Sequence, residues 1–206
     1  MTTVAAFDFD ETLTKRDTVV PFLRRFTSTH RFAVSLLPYT LRLLPIATRR
    51  DRDRLRALAT DIVFRGRPAV DVAAEATSWG VTIAETLLRA DTVARLQWHL
   101  DQGHRVVIVT ASYEDYVRVV AGVLGDVDVL GTRLEVADGR CTGRIDGQNC
   151  RGPEKVHRLE AWFAANRLER HEVTLHAYGD SSGDRELLAA ADHPHWVTAP
   201  LASVAP

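Results

Sequence analysis

The hydrophobic residues of this chain fall into short uninterrupted runs, separated by stretches in which apolar positions recur every three or four residues. A short apolar run bounded by turn residues is typical of a strand buried in a parallel sheet, and the helical spacing between runs is typical of helices that cover it. Strand alternating with helix predicts an α/β fold, a three-layer α/β/α core on a parallel sheet with right-handed crossovers. The predicted strands are residues 4–7, 105–110, 127–130, 173–178 and 195–198.

The same spacing predicts the elements between these strands. A single long helix is predicted over residues 82–100, with Gly103 following its end. Residues 134–145 predict a hairpin, because Asp138-Gly139 is a strong two-residue turn signal. Shorter helices are predicted over residues 113–124, 154–166 and 186–191.

The strand–helix alternation is interrupted after the first strand. Between residues 16 and 84 the pattern is helical, with helices predicted over residues 18–25, 51–64 and 69–79. We therefore expect an all-helical cap inserted after the first strand. The predicted domains are a core of residues 1–15 and 85–206 and a helical cap subdomain of residues 16–84.

Residues 32–47 are the most apolar segment of the chain, with the sequence FAVSLLPYTLRLLPIA. Pro38 and Pro45 divide it into pieces that suit short helices packed inside the cap, which is the interpretation we favour. The alternative is an interfacial segment that touches a membrane surface. No uninterrupted apolar run reaches about 18 residues, so a spanning helix is not predicted.

Composition narrows the class of protein. The 206 residues are 46% hydrophobic and 26% charged, as in soluble globular proteins, and the net charge of -1 argues against a nucleic-acid partner. Cys141 and Cys150 form no CxxC motif and are expected to be free thiols in a reducing compartment. Acidic residues occupy the place of a secretory apolar region, which favours a cytoplasmic location. No pattern specifies an oligomeric state.

Carboxylates gather where two of the predicted strands end. Asp8 and Asp10 follow the first strand and share one of its faces, because side chains alternate along a strand. Asp180 and Asp184 follow the strand at residues 173–178. The carboxyl ends of parallel strands meet at one edge of a sheet, where ligands bind. Four carboxylates there require a positive partner, and their oxygen ligands suit Mg²⁺.

A hydroxyl and a lysine complete this set. Thr110 ends the second strand, and Lys155 begins the helix that leads into the strand at residues 173–178. A divalent cation, a lysine and a hydroxyl together bind a phosphoryl group. A carboxylate can then act as nucleophile and form an aspartyl-phosphate. Spacing alone leaves open other folds that have acidic strand ends.

Four motifs carry this chemistry in a fixed order along the chain. They are Asp8-Phe9-Asp10-Glu11-Thr12, Val109-Thr110-Ala111-Ser112, Lys155 and Gly179-Asp180-Ser181-Ser182-Gly183-Asp184. Together they resemble the haloacid dehalogenase superfamily, in particular subfamily IB, which contains phosphoserine phosphatase. The resemblance covers roughly residues 1–16 and 85–200. It implies a Rossmann-like core and a Mg²⁺-dependent phosphomonoester hydrolase that acts through an aspartyl-phosphate.

The resemblance also implies a role for each matched residue. Asp8 is implied as the nucleophile. Asp10 is implied as the acid that protonates the leaving oxygen and then as the base that activates water, and Lys155 as the cation that neutralises the nucleophile and the developing charge. The implied phosphate-binding residues are Thr110, Ala111 and Ser112. The implied magnesium ligands are Asp8, the backbone carbonyl of Asp10 and Asp180, with Asp184 supporting them.

The implied substrate is a small phosphorylated metabolite such as phosphoserine or a related phosphomonoester. Phosphoserine phosphatases typically have two glycines where this chain has Ala111 and Ser112. They also place a glutamate early in the cap to hold the substrate amine, and Asp17 is the nearest candidate here. Both departures weaken the assignment to phosphoserine itself but leave the chemistry unchanged.

Other functions remain as alternatives. Residues 150–155 and the apolar segment at 32–47 are also similar to bacterial phosphatases of phosphatidylglycerophosphate, so a lipid phosphate at the membrane surface is the second hypothesis. A non-enzymatic receiver-like domain is disfavoured because receivers lack an acid in the place of Asp10 and have no helical insertion. A dehalogenase needs no second aspartate, and a dinucleotide-binding fold would need a G-x-G-x-x-G after the first strand.

Overall fold

The computed structural model describes residues 1–27 and 52–201. The strands are β1 (Thr2–Phe7), β2 (Arg105–Tyr113), β3 (Val127–Thr132), β4 (Leu134–Ala137), β5 (Arg140–Ile145), β6 (Val173–Gly179) and β7 (His193–Trp196). Five of these strands form one fully parallel sheet in the order β3-β2-β1-β6-β7. The α-helices are α1 (Val19–Phe26), α2 (Arg52–Phe64), α3 (Ala69–Thr86), α4 (Ala90–Asp101), α5 (Glu114–Leu124), α6 (Pro153–Ala165) and α7 (Arg185–Ala189). A short 3₁₀ helix covers Arg170–Glu172.

Both faces of the sheet are covered by helices, which confirms the predicted three-layer Rossmann-like α/β/α core. Side chains alternate along β1, so that Ala5 and Phe7 pack into one hydrophobic cluster and Val4 and Ala6 into another. The first cluster is completed by helices α1 to α5, and the second by α6 and α7. Burial on both faces explains why the central strands are continuous apolar runs in the sequence.

Helices α1, α2 and α3 lie between β1 and α4 along the chain. An aromatic cluster packs them against the core: the Phe22 ring lies 4.9 Å from that of Tyr116, and the Phe64 ring 5.4 Å from that of Tyr113. The β4–β5 hairpin also contacts this group, because the Gly66 amide donates to the Cys141 carbonyl at 2.8 Å. The division into a core of 1–15 and 85–206 and a cap of 16–84 stays a prediction.

The long helix predicted over residues 82–100 is wrong. Helix α3 ends at Thr86 and α4 begins at Ala90. The intervening residues pair with the segment that follows β1: the Lys15 amide donates to the Leu87 carbonyl at 2.8 Å, and the Arg89 amide to the Leu13 carbonyl at 2.9 Å. These backbone bonds replace the helical ones, so the two connections between the core and α1–α3 run side by side.

Smaller differences affect strand ends. Strand β2 continues past Thr110 to Tyr113, and β7 starts at His193 rather than at 195 because it pairs with His176 of β6. The predicted hairpin is present, with positive φ angles at Asp138 and Gly139 in its turn. Cys141 and Cys150 are buried free thiols.

The apolar segment at residues 32–47 lies outside the described residues, so the packed and interfacial interpretations both stay predictions. Within residues 1–27 and 52–201, no helix is long and apolar enough to cross a membrane. The lipid-phosphate alternative, the cytoplasmic location and the oligomeric state also stay as the sequence left them.

Candidate active site

The predicted carboxylates meet at the carboxyl edge of the sheet. Asp8 follows β1 and Asp180 follows β6, and these strands pair in register at Phe7 and Tyr178. Asp184 stands directly before α7. One carboxylate oxygen from each of Asp8, Asp180 and Asp184 lies within 4.8 Å of the others. The strand order therefore assembles a carboxylate cluster from residues far apart in the chain.

Lys155 lies between two members of this cluster. Its Nζ donates to Asp8 Oδ1 and to Asp184 Oδ1, at 2.5 Å each, and its side chain is 2% exposed. The Pro153 start of α6 aims it there, and the Gly152 amide fixes that start by donating to the Gly183 carbonyl at 2.9 Å. Burial alone would lower the pKa of Lys155, but the two carboxylates outweigh it and raise that pKa, so the ammonium stays charged.

The charge balance of the cluster fits a cation. Burial raises the pKa of Asp8 above its ordinary value, with Lys155 opposing that rise and Asp184 adding to it. Burial also raises the pKa of Asp180, whose Oδ1 accepts a 3.0 Å hydrogen bond from Thr12. One lysine thus faces three carboxylates. Oxygen donors at this spacing, with uncompensated negative charge, are a donor set that fits Mg²⁺.

Asp10 has a separate environment. Its Oδ1 accepts hydrogen bonds from the Thr18 amide at 2.9 Å and from the Thr18 hydroxyl at 2.5 Å. Its Oδ2 accepts from the Ser112 hydroxyl at 2.5 Å. Burial raises the pKa of Asp10 to about 6, although the hydrogen bonds from Ser112 and Thr18 oppose the rise. A carboxyl with that pKa changes protonation near neutrality, as a general acid–base requires.

These groups surround a cavity of about 240 Å³. Thr110, Ala111 and Asp17 line it, and their predicted contacts with substrate stay predictions. Ser112 was also predicted to contact phosphate, but its hydroxyl is directed to Asp10, while its amide donates to Thr110 Oγ1 at 3.0 Å. The whole lining is Asp8, Asp10, Glu11, Asp17, Arg52, Arg56, Thr110, Ala111, Asn149, Arg151, Lys155, Asp180, Ser181, Gly183 and Asp184.

Arginines form the part of the wall that the sequence analysis missed. Arg52 and Arg56 come from α2, four positions apart, and Arg151 from the loop before α6. The Arg56 guanidinium lies over the Tyr113 ring, 5.3 Å from its centroid. Its Nη1 is buried and has no hydrogen-bond partner among the described residues. The i, i+4 spacing of two arginines on a predicted helix was the available sequence signal.

Thr18 is a second omission. The sequence analysis placed it only at the start of the helix predicted over residues 18–25, yet its hydroxyl is within hydrogen-bond reach of both Asp10 and the Tyr116 hydroxyl. Nothing in the spacing of Thr18 and Asp10 marks them as partners, since the turn between them decides the contact.

A family model of haloacid dehalogenase-like hydrolases matches residues 5–189. The chain belongs to this family. Protein CicA of Caulobacter vibrioides is 38% identical over 191 residues, which cover 92% of this chain and 83% of that protein. Phosphoserine phosphatase SerB1 of Mycobacterium tuberculosis is 28% identical over 197 residues, covering 92% of this chain and 62% of SerB1.

Solved structures of other proteins share the fold. A Bordetella pertussis Tohama I protein of unknown function superposes with a TM-score of 0.68 at 25% identity, covering 92% of this chain and 87% of the other. Phosphoserine phosphatase in its apo form superposes with a TM-score of 0.60 at 17% identity, covering 93% and 84%. The predicted family is confirmed, and the chain is a hydrolase of the haloacid dehalogenase type.

Proposed function

We propose that the chain is a Mg²⁺-dependent phosphatase that transfers the phosphoryl group of a phosphomonoester first to Asp8 and then to water. One observation carries the proposal. The buried Asp8 carboxylate lies 2.5 Å from the Lys155 ammonium and within 4.8 Å of the Asp180 and Asp184 carboxylates. A nucleophile, a fixed cation and carboxylates that could hold a divalent ion are thereby brought together.

In this proposal Asp8, Asp180 and the backbone carbonyl of Asp10 hold Mg²⁺, and Asp184 supports the site. When bound, the ion neutralises charge on the phosphoryl oxygens. Lys155 favours the ionised form of Asp8, against the effect of burial, and offsets the charge that develops in the transition state. Lys155 also donates to Asp184. Moving its ammonium out of the cluster would leave a buried carboxylate unpaired, so the ammonium stays beside Asp8.

The first step forms a bond between an Asp8 carboxylate oxygen and phosphorus and breaks the bond from phosphorus to the leaving oxygen. Asp10 gives its proton to that leaving oxygen. In the second step Asp10 takes a proton from water, the water oxygen attacks phosphorus, and the Asp8–phosphorus bond breaks. Thr110 lines the same cavity, and in this proposal its hydroxyl bonds the phosphoryl oxygens. The hydrogen bonds from the Thr18 and Ser112 hydroxyls fix the position of the Asp10 carboxylate.

The cavity favours a small substrate whose leaving group carries a second charged group. About 240 Å³ accommodates a phosphoryl group with a short leaving group. The buried, unbonded Nη1 of Arg56 offers a charge-assisted hydrogen bond to an anionic group, and Asp17 offers a carboxylate to an amine. Phosphoserine presents both partners, and SerB1 carries the name phosphoserine phosphatase. We therefore put phosphoserine and related phosphomonoesters first.

A panel of phosphomonoesters, assayed with Mg²⁺ and with chelator, tests the proposal. It should include phosphoserine, other small metabolite phosphates, a lipid phosphate and p-nitrophenyl phosphate. We expect turnover of at least one small phosphate, its loss in chelator and its recovery when Mg²⁺ is restored. Asp8→Asn, purified in parallel, should be inactive and so exclude a contaminating phosphatase. Undiminished turnover in chelator would contradict the metal assignment.

A further inference from the structure

Five of the eight histidines lie together on one face of the sheet, beside β6 and β7. His99 comes from α4, and His104 from the turn that follows it. His176 lies on β6, opposite His193 of β7 in the register of the two strands, and His195 lies two residues further along β7. We call these five residues the imidazole layer.

The imidazole layer continues an aromatic ladder that starts next to the active site. The Phe7 and Tyr178 rings stack at 4.3 Å with an interplanar angle of 4°, and the Tyr178 and His195 rings at 4.4 Å with 8°. These three residues are register partners on β1, β6 and β7. A second row follows, in which the His176 and His193 rings stack at 4.5 Å.

The hydrogen bond between His99 and His104 requires that at least one of these two rings is neutral. His99 is fully buried, and its Nε2 lies 2.9 Å from the Tyr178 hydroxyl. Its Nδ1 lies 2.8 Å from Nδ1 of His104. At that distance one of the two nitrogens must present a lone pair, so the two imidazoles cannot both be protonated. His176 Nδ1 and His195 Nε2 are buried without a hydrogen-bond partner among the described residues.

Among the described residues, no carboxylate acts on His99, His176 or His195, whereas the Asp192 carboxylate acts on His193. Arg95 on α4 raises the cost of protonating His99, His176 and His195, and the other imidazoles of the layer add to it. Burial is the largest effect: it lowers the pKa of His99 to about 3 and of His176 to about 4, and it also lowers that of His195. His99, His176 and His195 are therefore uncharged at neutral pH.

The same strand ends carry the active-site residues. Tyr178 precedes Gly179-Asp180, and its carbonyl accepts a 2.8 Å hydrogen bond from the Asp8 amide. On the other side, the Val197 amide after β7 donates to the Gly179 carbonyl at 2.9 Å. Displacing β7 from β6 would thus release the backbone that leads into Asp180.

We propose that the imidazole layer is a proton-sensitive positioning element: its neutral rings hold β7 against β6 and so fix Asp8 and Asp180 at the spacing a metal ion needs. These rings do not take up protons while the β6–β7 edge is closed but can do so when it opens, so mild acid favours opening of that edge. His176 and His195 act through Tyr178 and Gly179, without contacting substrate. The catalytic consequence rests on the proposed function, whereas the effect on stability does not.

The sign follows from proton linkage. The unfolded chain protonates its histidines near pH 6.5, while His99, His176 and His195 of the folded chain stay neutral there, so the unfolded state binds more protons below that pH. Stability contributed by the neutral layer is present above pH 6.5 and is lost as the pH falls. Each imidazole that stays neutral in the fold raises the unfolding equilibrium constant roughly 25-fold between pH 7 and pH 5.

The double variant His176→Gln/His195→Phe tests the proposal, because phenylalanine keeps the stack on Tyr178 and neither new side chain titrates. Urea unfolding followed by circular dichroism between pH 7 and pH 5 gives the pH dependence without requiring activity. We expect the unfolding constant of the wild type to rise at least about 25-fold more than that of the double variant. The control His171→Gln, at an exposed position on the 3₁₀ helix, should behave as the wild type. If the double variant does not fold, His195→Gln alone is measured in its place.

The second readout is the Mg²⁺ concentration that half-saturates turnover of p-nitrophenyl phosphate. On acidification it should rise more steeply in the wild type than in the double variant. If the unfolding constants of the wild type and the double variant changed equally with pH, the proposal would be overturned altogether. A difference in unfolding without one in Mg²⁺ dependence would overturn the positioning role. A protein with no Mg²⁺-dependent turnover would refute the proposed function, and the unfolding measurement would still test the layer.

Discussion

The two walls of the catalytic cavity are built differently. On the core side, Asp8 and Asp184 are both buried and both bonded to Lys155, so that each charge has a partner. On the side of α2, Arg52 is exposed, and Arg56 keeps a buried nitrogen without a hydrogen-bond partner among the described residues. On the core wall Asp8 and Asp184 share the Lys155 ammonium, whereas the α2 wall keeps a hydrogen-bond donor without a partner among the described residues.

This difference separates the residues that carry out the reaction, on the core wall, from those that select the substrate, on the α2 wall. Removing one member of a buried ion pair costs about 3–5 kcal/mol, because the remaining charge is left uncompensated. The core wall therefore cannot change without loss of stability as well as of activity. An exposed arginine contributes at most about 1 kcal/mol to stability through ion pairing, so the α2 wall can change with the substrate.

The largest effect is expected on the core wall, at Asp10. Asp10→Asn keeps the hydrogen-bonding shape but removes the proton that the leaving oxygen needs, which should lower kcat for alkyl phosphates roughly 10²–10⁴-fold. Steady-state assays with phosphoserine and with p-nitrophenyl phosphate measure it. Glu11→Gln, another cavity carboxylate, is the matched control and should leave kcat within about twofold, as for surface changes that create no new interaction. An equal loss in both variants would contradict the acid–base role.

A smaller effect is expected on the α2 wall. Arg56→Ala removes a charge-assisted hydrogen bond to the second anionic group, worth about 1.5–3 kcal/mol, and should raise KM for phosphoserine roughly 10- to 100-fold. p-Nitrophenyl phosphate has no such group, so its KM should stay within about twofold. Leu55→Ala, on the same helix but away from the cavity, controls for a general change in α2. An equal change in KM for both substrates would show that Arg56 does not contact the leaving group.

The core wall was accessible to sequence reasoning for a physical reason. Parallel strands bring their carboxyl ends to one edge, so Asp8 and Asp180 could be placed together before any coordinates were known. Lys155 could be placed with them because it begins the helix leading into β6. The prediction of one long helix failed at residues 87–89, where backbone hydrogen bonds with Leu13 and Lys15 replace helical ones. Such non-local pairing gives no signal in the hydrophobic periodicity of the sequence.

The side chains that adjust the site were less accessible. Ser112 and Thr18 both bond Asp10, but the contact depends on how β2 continues past Thr110 and how the chain turns after β1. The imidazole layer was also missed. Its five members come from separate elements, and only the register of β6 with β7 and the packing of α4 bring them onto one face.

The most direct measurement is to find the residue that carries the phosphoryl group. Asp10→Asn, mixed with p-nitrophenyl phosphate and Mg²⁺ and quenched in acid, should accumulate phosphoenzyme, because a good leaving group needs little acid help while hydrolysis lacks its base. Peptide mass spectrometry should place one phosphoryl group on Asp8 in the Mg²⁺ sample and none in the chelator sample. Phosphate on any other residue, or p-nitrophenol release with no phosphoenzyme, would contradict the account.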